Sequence, residues 1–424
     1  MDIIINPQRG QWKALTERNI PDDPQVTEAV ESIINDVRLR GDEALRDMAQ
    51  KFDHATIREL EVTETEIDEA CALVSEQVKN AIRNGAANIR RFHEAQMPDP
   101  VKVETQPGVM CIQRPVAISK VGLYIPGGQA PLFSTVLMLA IPASIAGCKQ
   151  IILCTPQSGD HRIAPEILFA ARECGIHKVY RVGGAQAIAA MALGTDSIPR
   201  VYKIFGPGNR FVTKAKQMLT SEVAIDMPAG PSEVLVMCDD SADARFVASD
   251  MLSQAEHGPD SQAICVCTSA EIAEEVRRQV EEISSKLTRR SSIDKSLSHS
   301  RIIVVDDRGE MIDFVNEYAP EHLIISMDDP WSIADRINAA GSIFIGNYSP
   351  ESAGDYASGT NHTLPTNGWA HSFSGVNIDS FMRKITYQEL TRDGLDGLAS
   401  TIVTMAEAEG LDAHAMAVKI RTGC

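Results

Sequence analysis

The sequence of 424 residues lacks several features that mark common classes of protein. It has no block of clustered Lys and Arg, and its formal net charge is −18. Nucleic acids and anionic membranes attract clustered basic residues, so neither is an expected partner. The N-terminus has no basic region followed by a long apolar run, and we expect no signal peptide. The longest apolar stretch, residues 134–147, carries Pro142 and is short for a membrane span.

Paired cysteine motifs are also missing. The nine cysteines are scattered along the chain, and none forms a C-x-x-C pair. Cys265 and Cys267 alternate within an apolar strand and face the same side, which is typical of core packing. A scattered, odd-numbered set is typical of a reducing compartment, so we expect a cytoplasmic protein.

Apolar patterning predicts an α/β protein. Residues 1 to about 112 show mainly the helical period. From about Ile118 onwards, continuous apolar strands alternate with amphipathic helices, which indicates parallel sheets covered on both faces. The strands are too many for one small sheet, and we predict two α/β lobes. The C-terminal segment, beyond the last predicted strand, has a helical pattern.

Three glycine turns follow predicted strands, and each begins a helix: residues 127–128, 183–184 and 206–208. A helix N-terminus offers free N–H groups and a positive dipole end, which suits a phosphate. The spacing G-x-G-x-x-G is absent. Tight turns between strand and helix need glycine in any case, so a phosphate contact and a purely structural role both remain open.

Two pairs of polar residues are candidates for chemistry. Gln254 and His257 lie three residues apart on one face of a helix end, where they form either a polar cap or half of a metal site. Glu321 and His322 are adjacent at the start of a predicted strand. Glu and His are the residue types for proton transfer near neutral pH, although an idle exposed pair would have the same sequence.

Two later segments carry further candidates. Asp355 and His362 lie in a long, polar, glycine-rich segment, and Glu409 and His414 lie near the C-terminus. Such a polar loop after a buried strand is more often functional than filler. Together with Gln254 and the other histidines, these residues offer a mixed nitrogen and oxygen metal site. Without thiolates, such a site suits Zn or Mn in a catalytic role.

Eight motifs occur in the order found in one enzyme family: VGLYIPGG, GGAQAIAA, GPGN, AGPSEVLV, QAEHGPDSQ, APEHL, GDYASGTNHTLPT and EGLDAHAMAVKIR. The match covers nearly the whole chain, and the sequence resembles the histidinol dehydrogenases of bacterial type. The resemblance implies oxidation of L-histidinol to L-histidine through enzyme-held L-histidinal, the last steps of histidine biosynthesis. It also implies two NAD and one zinc per site, in an intertwined homodimer with shared active sites.

The resemblance assigns roles to individual residues. Glu321 and His322 would be the catalytic acid–base pair. The implied zinc ligands are Gln254, His257, Asp355 and His414. The same four residues, with His322, would contact the substrate, and further substrate contacts are implied for Ser232, His362 and Glu409. The residues implied to line the NAD site are Tyr124, Gln186 and Asn209.

The resemblance also sets the expected domain organisation, with two Rossmann-like lobes. The expected parts are an N-terminal arm (1–24), a helical segment that packs on the second lobe (25–113), the first lobe on the NAD side (114–228), the second lobe with zinc and catalytic residues (229–376) and a C-terminal helical dimerisation arm (377–424).

Alternatives remain for the chemistry. A relative of the same fold would use zinc and NAD to oxidise another small alcohol or diol. A metallohydrolase would use zinc-bound hydroxide without nicotinamide, but it would not need the three glycine turns. In a covalent variant of the histidinol reaction, the thiol of Cys154 would hold the aldehyde. Cys154 lies in an apolar strand, so we expect it in the core and favour a hydrated aldehyde.

Overall fold

A computed structural model describes residues 1–18, 23–127, 131–157, 162–228 and 230–423. The chain divides into two compact units. The first comprises residues Met1–Gln96 and Ser119–Ile378, and the second comprises Met97–Ile118 and Asp379–Cys424.

The strands in chain order are β1 (Asp2–Ile5), β2 (Val101–Gln106), β3 (Val109–Ala117), β4 (Lys120–Tyr124), β5 (Gln150–Cys154), β6 (Lys178–Tyr180), β7 (Lys203–Phe205), β8 (Ala224–Ile225), β9 (Glu233–Cys238), β10 (Gln262–Cys267), β11 (Arg301–Val304), β12 (His322–Ser326), β13 (Ser342–Ile345) and β14 (Met382–Leu390).

The α-helices are α1 (Arg9–Thr16), α2 (Pro24–Arg40), α3 (Asp42–Met48), α4 (Glu64–Leu73), α5 (Glu76–Glu94), α6 (Phe133–Ala146), α7 (Pro165–Glu173), α8 (Gly184–Leu193), α9 (Arg210–Met218), α10 (Ala244–Ala255), α11 (Ala270–Ser284), α12 (Arg290–Leu297), α13 (Arg308–Tyr318), α14 (Pro330–Ala334), α15 (Glu351–Tyr356), α16 (Arg392–Ala408) and α17 (Asp412–Thr422).

The first unit contains two parallel sheets, as the strand pattern predicts. The five-stranded sheet has the order β6-β5-β4-β7-β8, and the six-stranded sheet has the order β1-β11-β10-β9-β12-β13. Every residue of β9, β10 and β12 is buried. Strands that are covered on both faces need continuous apolar sequences, and this is the pattern that the sequence shows. The expected α/β class with two Rossmann-like lobes is confirmed.

The N-terminal helices lie elsewhere than expected. Residues 25–113 were expected on the second lobe, but α2 packs against α8 and α9, and α4 packs against α7, all in the first lobe. The reason is the apolar stripe of α2: Val26, Val30, Ile34 and Val37 share one core with residues of α8. The expected N-terminal arm, residues 1–24, includes β1, an edge strand of the six-stranded sheet.

The second unit is built on an antiparallel sheet that the helical interpretation of residues 1–112 missed. Its strand order is β14-β3-β2, and β2 and β3 form a hairpin around Gly108, whose φ is +76°. The alternating sequence VKVETQ fits a strand, not a helix. The expected C-terminal helical arm therefore contains a nine-residue strand, β14, before α16 and α17.

The helices within the described ranges include none that is long and apolar enough to cross a membrane.

Candidate active site

A cavity of about 760 Å³ opens between the two parallel sheets of the first unit. The five-stranded sheet contributes the carboxyl ends of β4 and β7, where Tyr124 and Gly206 line the cavity. The six-stranded sheet contributes the opposite ends of its strands. Ser232, Ser261 and Glu321 lie just before β9, β10 and β12, at the amino ends of these strands. The two walls of the cavity therefore differ in strand polarity.

The wall from the five-stranded sheet presents a rigid glycine turn. Gly206 has a φ of +127°, and a Cβ at this position would lie 2.0 Å from the carbonyl oxygen of Tyr124. The N–H of Gly206 donates to Oδ2 of Asp226 (2.8 Å), and its carbonyl oxygen accepts from Nζ of Lys216 (3.0 Å). Lys216 and Asp226 form a buried ion pair. This pair fixes both polar groups of the Gly206 peptide.

The three residues assigned to NAD by resemblance all lie in this lobe, and two of them line the cavity. Asn209 is the N-cap of α9, and its Oδ1 accepts from the N–H groups of two residues in the first turn. Tyr124 ends β4, and its hydroxyl accepts from the N–H of Gly184 (3.0 Å). Gln186 is buried in the first turn of α8 and is not among the residues that line the cavity. Of the three glycine turns, 183–184 lies away from the lining, and Gly128 is outside the described residues.

The wall from the six-stranded sheet brings together side chains of the types that ligate metals. Ligand atoms of His257, Glu351 and Asp355 all lie within 4.8 Å of one another. Glu351 and Asp355 are one turn apart on α15 and share a face of this helix. Gln254 is fully buried at the end of α10. Its amide, oriented to satisfy its neighbours, donates to both carboxylate oxygens of Glu351 (2.5 and 3.2 Å) and accepts from the N–H of Glu233 (3.3 Å).

The Glu321–His322 pair is buried beside this cluster. Nδ1 of His322 faces three acceptors: the carbonyl oxygen of Glu233 (3.4 Å), Oε2 of Glu321 (3.6 Å) and Oε1 of Glu351 (3.6 Å). Within the described part of the chain, Nε2 of His322 has no hydrogen-bond partner, and Oδ1 of Asp355 lies 3.9 Å away. Among the described residues, Nε2 is therefore the free nitrogen of the ring, and His322 lines the cavity.

Burial and charge shift the acid–base properties of this pair. Burial lowers the pKa of His322, but the carboxylates of Glu351, Glu321 and Asp355 outweigh burial and raise the pKa to about 10. Burial raises the pKa of Glu321, and His322 and the N–H of Glu233 oppose this shift. Burial also raises the pKa of Glu351, to about 8. Such shifts are typical of groups that transfer protons.

The remaining assigned residues fall in two places. His362 lines the cavity, where its Nδ1 lies 3.0 Å from the carbonyl oxygen of Asp355 and its Nε2 lies 3.3 Å from Oγ1 of Thr135. Ser232 lines the cavity before β9. Among the described residues, those that line the cavity all belong to the first unit. Glu409 and His414 belong to the second unit, at the end of α16 and on α17, and both are exposed.

Glu351 and Cys154 show what the sequence revealed and what it did not. Glu351 is 1% exposed and central to the cluster, but the sequence interpretation missed it. Its spacing of four residues from Asp355 was an available signal. Cys154 is fully buried in β5, as expected, and burial raises the pKa of its thiol far above the usual value. A buried thiol with a raised pKa is a poor nucleophile, which disfavours the covalent alternative.

Known proteins resemble this chain along nearly its whole length. The family model described as histidinol dehydrogenase matches residues 16–422. A histidinol dehydrogenase of Bacteroides fragilis (strain YCH46) is 54% identical over 422 residues, which cover 99% of each chain. One from Vibrio vulnificus (strain YJ016) is 52% identical over 97% of this chain and 95% of the relative. The crystal structure of histidinol dehydrogenase from Elizabethkingia anophelis superposes with a TM-score of 0.97 at 48% identity, covering 99% of this chain and 98% of that chain.

Proposed function

Because the chain belongs to the histidinol dehydrogenase family, we propose that it oxidises L-histidinol to L-histidine in two NAD-dependent steps, through bound L-histidinal, at the end of histidine biosynthesis. One observation carries this proposal. The buried Glu321–His322 pair adjoins a nitrogen and oxygen donor cluster, in a cavity whose opposite wall is a glycine turn beside a helix N-terminus. This arrangement supplies a base, a metal site and a cofactor surface in one place.

The donor cluster fits the zinc that the family implies. Gln254, His257 and Asp355 would hold the ion together with His414 from a second copy of the chain. Amide, imidazole and carboxylate donors without thiolate suit a catalytic zinc that keeps exchangeable positions. When bound, zinc would act as a Lewis acid that holds nitrogen atoms of the substrate. Helix α10 ends at this wall, and the negative end of its dipole favours a cation.

The opposite wall suits the cofactor, which accepts hydride when it is bound. The N-terminus of α9 and the turn at residues 206–208 line the cavity, beside Tyr124 and Asn209. The positive end of a helix dipole favours a pyrophosphate. Gln186 is buried in the first turn of α8, in the same lobe.

In the first oxidation, His322 takes the proton of the alcohol at Nε2 as hydride leaves the adjacent carbon. Nδ1 keeps its own proton because it faces the carbonyl oxygen of Glu233 and the carboxylates of Glu321 and Glu351. The same acceptors stabilise the imidazolium that forms. A cation bound at Asp355 would place positive charge beside His322 and lower its pKa, so that the ring is neutral before it reacts.

In the second oxidation, Glu321 removes a proton from the water that adds to the aldehyde carbon. Its raised pKa suits a base that must hold this proton. As water adds, His322 returns the proton that it took in the first oxidation to the aldehyde oxygen, which gives the hydrate. His322 then takes the proton of one hydrate hydroxyl as the second hydride leaves, which yields the carboxylic acid. Ser232, His362 and Glu409 would hold the intermediate, and a reactive aldehyde is thereby kept from free amines.

The homodimer also belongs to this proposal. In the second unit, Met405, Leu411, Met416 and Ile420 expose apolar side chains on and between α16 and α17. If His414 completes the site of a second copy, Asp355→Ala and His414→Ala are each inactive alone. Refolded together, they should regain about a quarter of wild-type activity through mixed dimers with one intact site. A mixture that contains mixed dimers and stays inactive would place His414 in its own chain's site.

The function itself is tested by NADH formation. Purified zinc-loaded enzyme is given histidinol or a simple diol with NAD, and absorbance is followed. We expect NADH from histidinol and little from the diol. Equal rates on both substrates would favour the alternative of a dehydrogenase for other small alcohols. The cytoplasmic location stays a prediction that cell fractionation would test.

A further inference from the structure

A buried ion pair stands behind the acid–base pair, outside the cavity lining. Arg18 and Glu233 form two parallel hydrogen bonds, from Nε to Oε2 and from Nη2 to Oε1, each 2.8 Å long. The side chains are 10% and 2% exposed. Such a two-pronged contact fixes the position and the angle of both side chains, which a single point contact does not.

The side chain of Glu233 binds Arg18, and the backbone of Glu233 contacts Glu321 and His322. Its N–H donates to Oε2 of Glu321 at 2.8 Å, and its carbonyl oxygen lies 3.4 Å from Nδ1 of His322. Glu233 is the first residue of β9, and pairing with β12 starts one residue later, at Val234 and His322. The backbone N–H of Glu233, at the start of β9, thus contacts the Glu321 carboxylate. The position of this N–H sets the orientation of the carboxylate.

Arg18 also holds the chain on the other side of Glu321. Nη2 of Arg18 donates to the carbonyl oxygen of Tyr318 (2.6 Å), and the guanidinium carbon lies 3.6 Å from the centre of the Tyr318 ring. Tyr318 ends α13, and the chain then turns through Ala319, a fully buried alanine with a φ of +50°. A non-glycine residue in this left-handed region is strained and persists where its surroundings hold it.

We propose that Arg18 is a positioning residue that fixes the Glu321 carboxylate for water activation, through the Glu233 peptide and the turn after Tyr318. This inference rests on the proposed function of Glu321. It gives the segment before α2 a role in catalysis, although Arg18 lies 215 residues from Glu233 in sequence. A role in charge compensation alone would require a positive charge near Glu233, but not the two-pronged geometry or the contact with Tyr318.

A double-mutant cycle separates positioning from general stabilisation. Arg18→Met is made in the wild type and in Glu321→Gln, and single-turnover rates are measured for histidinol and for histidinal oxidation, with zinc content and melting temperature. In the wild type, we expect the histidinal step to fall by about tenfold more than the histidinol step. In Glu321→Gln, the same substitution should change the ratio of the two rates by less than about twofold, because there is no carboxylate left to position.

Two further variants, Arg18→Lys and Lys216→Met, serve as controls. Arg18→Lys keeps a positive charge but cannot form the two parallel hydrogen bonds, so we expect a partial loss of the histidinal step. This variant also serves if Arg18→Met fails to fold. Lys216→Met breaks a different buried ion pair, Lys216–Asp226, in the lobe of the five-stranded sheet. It should raise the KM for NAD and leave the ratio of the two half-reactions unchanged.

Two results would overturn the role of Arg18. One is an equal loss of histidinal oxidation from Arg18→Met with and without the Glu321 carboxylate. The other is a full return of both rates in Arg18→Lys, which would reduce the role to charge compensation. If wild-type enzyme forms no NADH from histidinol, the proposed function itself fails, and this outcome is distinct from additive losses in an active enzyme.

Discussion

The two walls of the cavity are formed by opposite ends of their strands and helices. The five-stranded sheet contributes carboxyl ends, so that α9 begins at the cavity, whereas the six-stranded sheet contributes amino ends, so that α10 finishes there. One wall therefore favours anions and the other favours cations. The difference teaches that strand polarity decides what each wall offers, with a helix N-terminus on one wall and buried titratable side chains on the other.

Each wall is held by one buried ion pair that fixes a backbone peptide. Lys216 and Asp226 hold Gly206, and all three lie within 20 residues of one another. Arg18 and Glu233 hold the peptide beside Glu321 from 215 residues apart. The first ion pair joins residues that are close in sequence, and the second joins residues that only the complete fold brings together. Changes to the second wall should therefore alter the chemistry, and changes to the first should alter cofactor binding.

Removal of the proposed zinc should have the largest effect, because its proposed ligands lie beside the acid–base pair. We expect chelation, or His257→Asn, to reduce both half-reactions to background, while circular dichroism and the melting transition remain close to those of the wild type. The two sheets have their own apolar cores, so the fold does not depend on the ion. His177→Asn, at an exposed histidine, is the control. Full activity in a zinc-free protein would refute the metal site.

His322→Asn should impair both half-reactions, since each hydride transfer needs a base at Nε2. A general base contributes about 10²–10⁴ in rate, and we expect a loss of this size in both single-turnover rates. Zinc content and the KM for NAD should change little. A variant that loses one half-reaction and retains the other would show that the two steps use different bases.

Glu321→Gln should separate the half-reactions. The amide keeps the shape of the side chain but cannot take a proton from water. We expect histidinal oxidation to fall by about 10² or more and histidinol oxidation to fall much less. Glu317→Gln, at an exposed position on α13, is the matched control. Equal losses in both steps would end this division of labour between Glu321 and His322.

Asn209→Ala should have the smallest effect, and this effect should be limited to cofactor binding at the wall from the five-stranded sheet. Loss of an N-cap costs about 1 kcal/mol of stability, and the first turn of α9 becomes less ordered. We expect a modest rise in the KM for NAD and no change in the ratio of the half-reactions. Ser269→Ala removes the N-cap of α11 in the other lobe and should lower stability without a change in the KM for NAD. Equal KM values for NAD in the two variants would show that the first turn of α9 does not contribute to cofactor binding.

Features with a local sequence pattern could be predicted, and contacts between distant segments could not. Buried strands such as β9 and β10 need continuous apolar runs, and for this reason the two lobes were predictable. Residues 101–117 form antiparallel strands, and their alternation was missed between helical segments. Within the site, adjacency made Glu321 and His322 visible, and Glu351 had a helical spacing to Asp355 that went unused. Arg18 and Glu233 left no local pattern, because only the tertiary fold joins the segments that contain them.

The central claim, that one cavity carries out both oxidations, is tested most directly by stoichiometry. Limiting histidinol is converted by zinc-loaded enzyme with excess NAD and an aldehyde-trapping amine. NADH is measured by absorbance, and histidine and trapped aldehyde are measured by mass spectrometry. We expect two NADH and one histidine per histidinol, with no trapped histidinal. One NADH per histidinol, with the aldehyde recovered on the trap, would contradict the account.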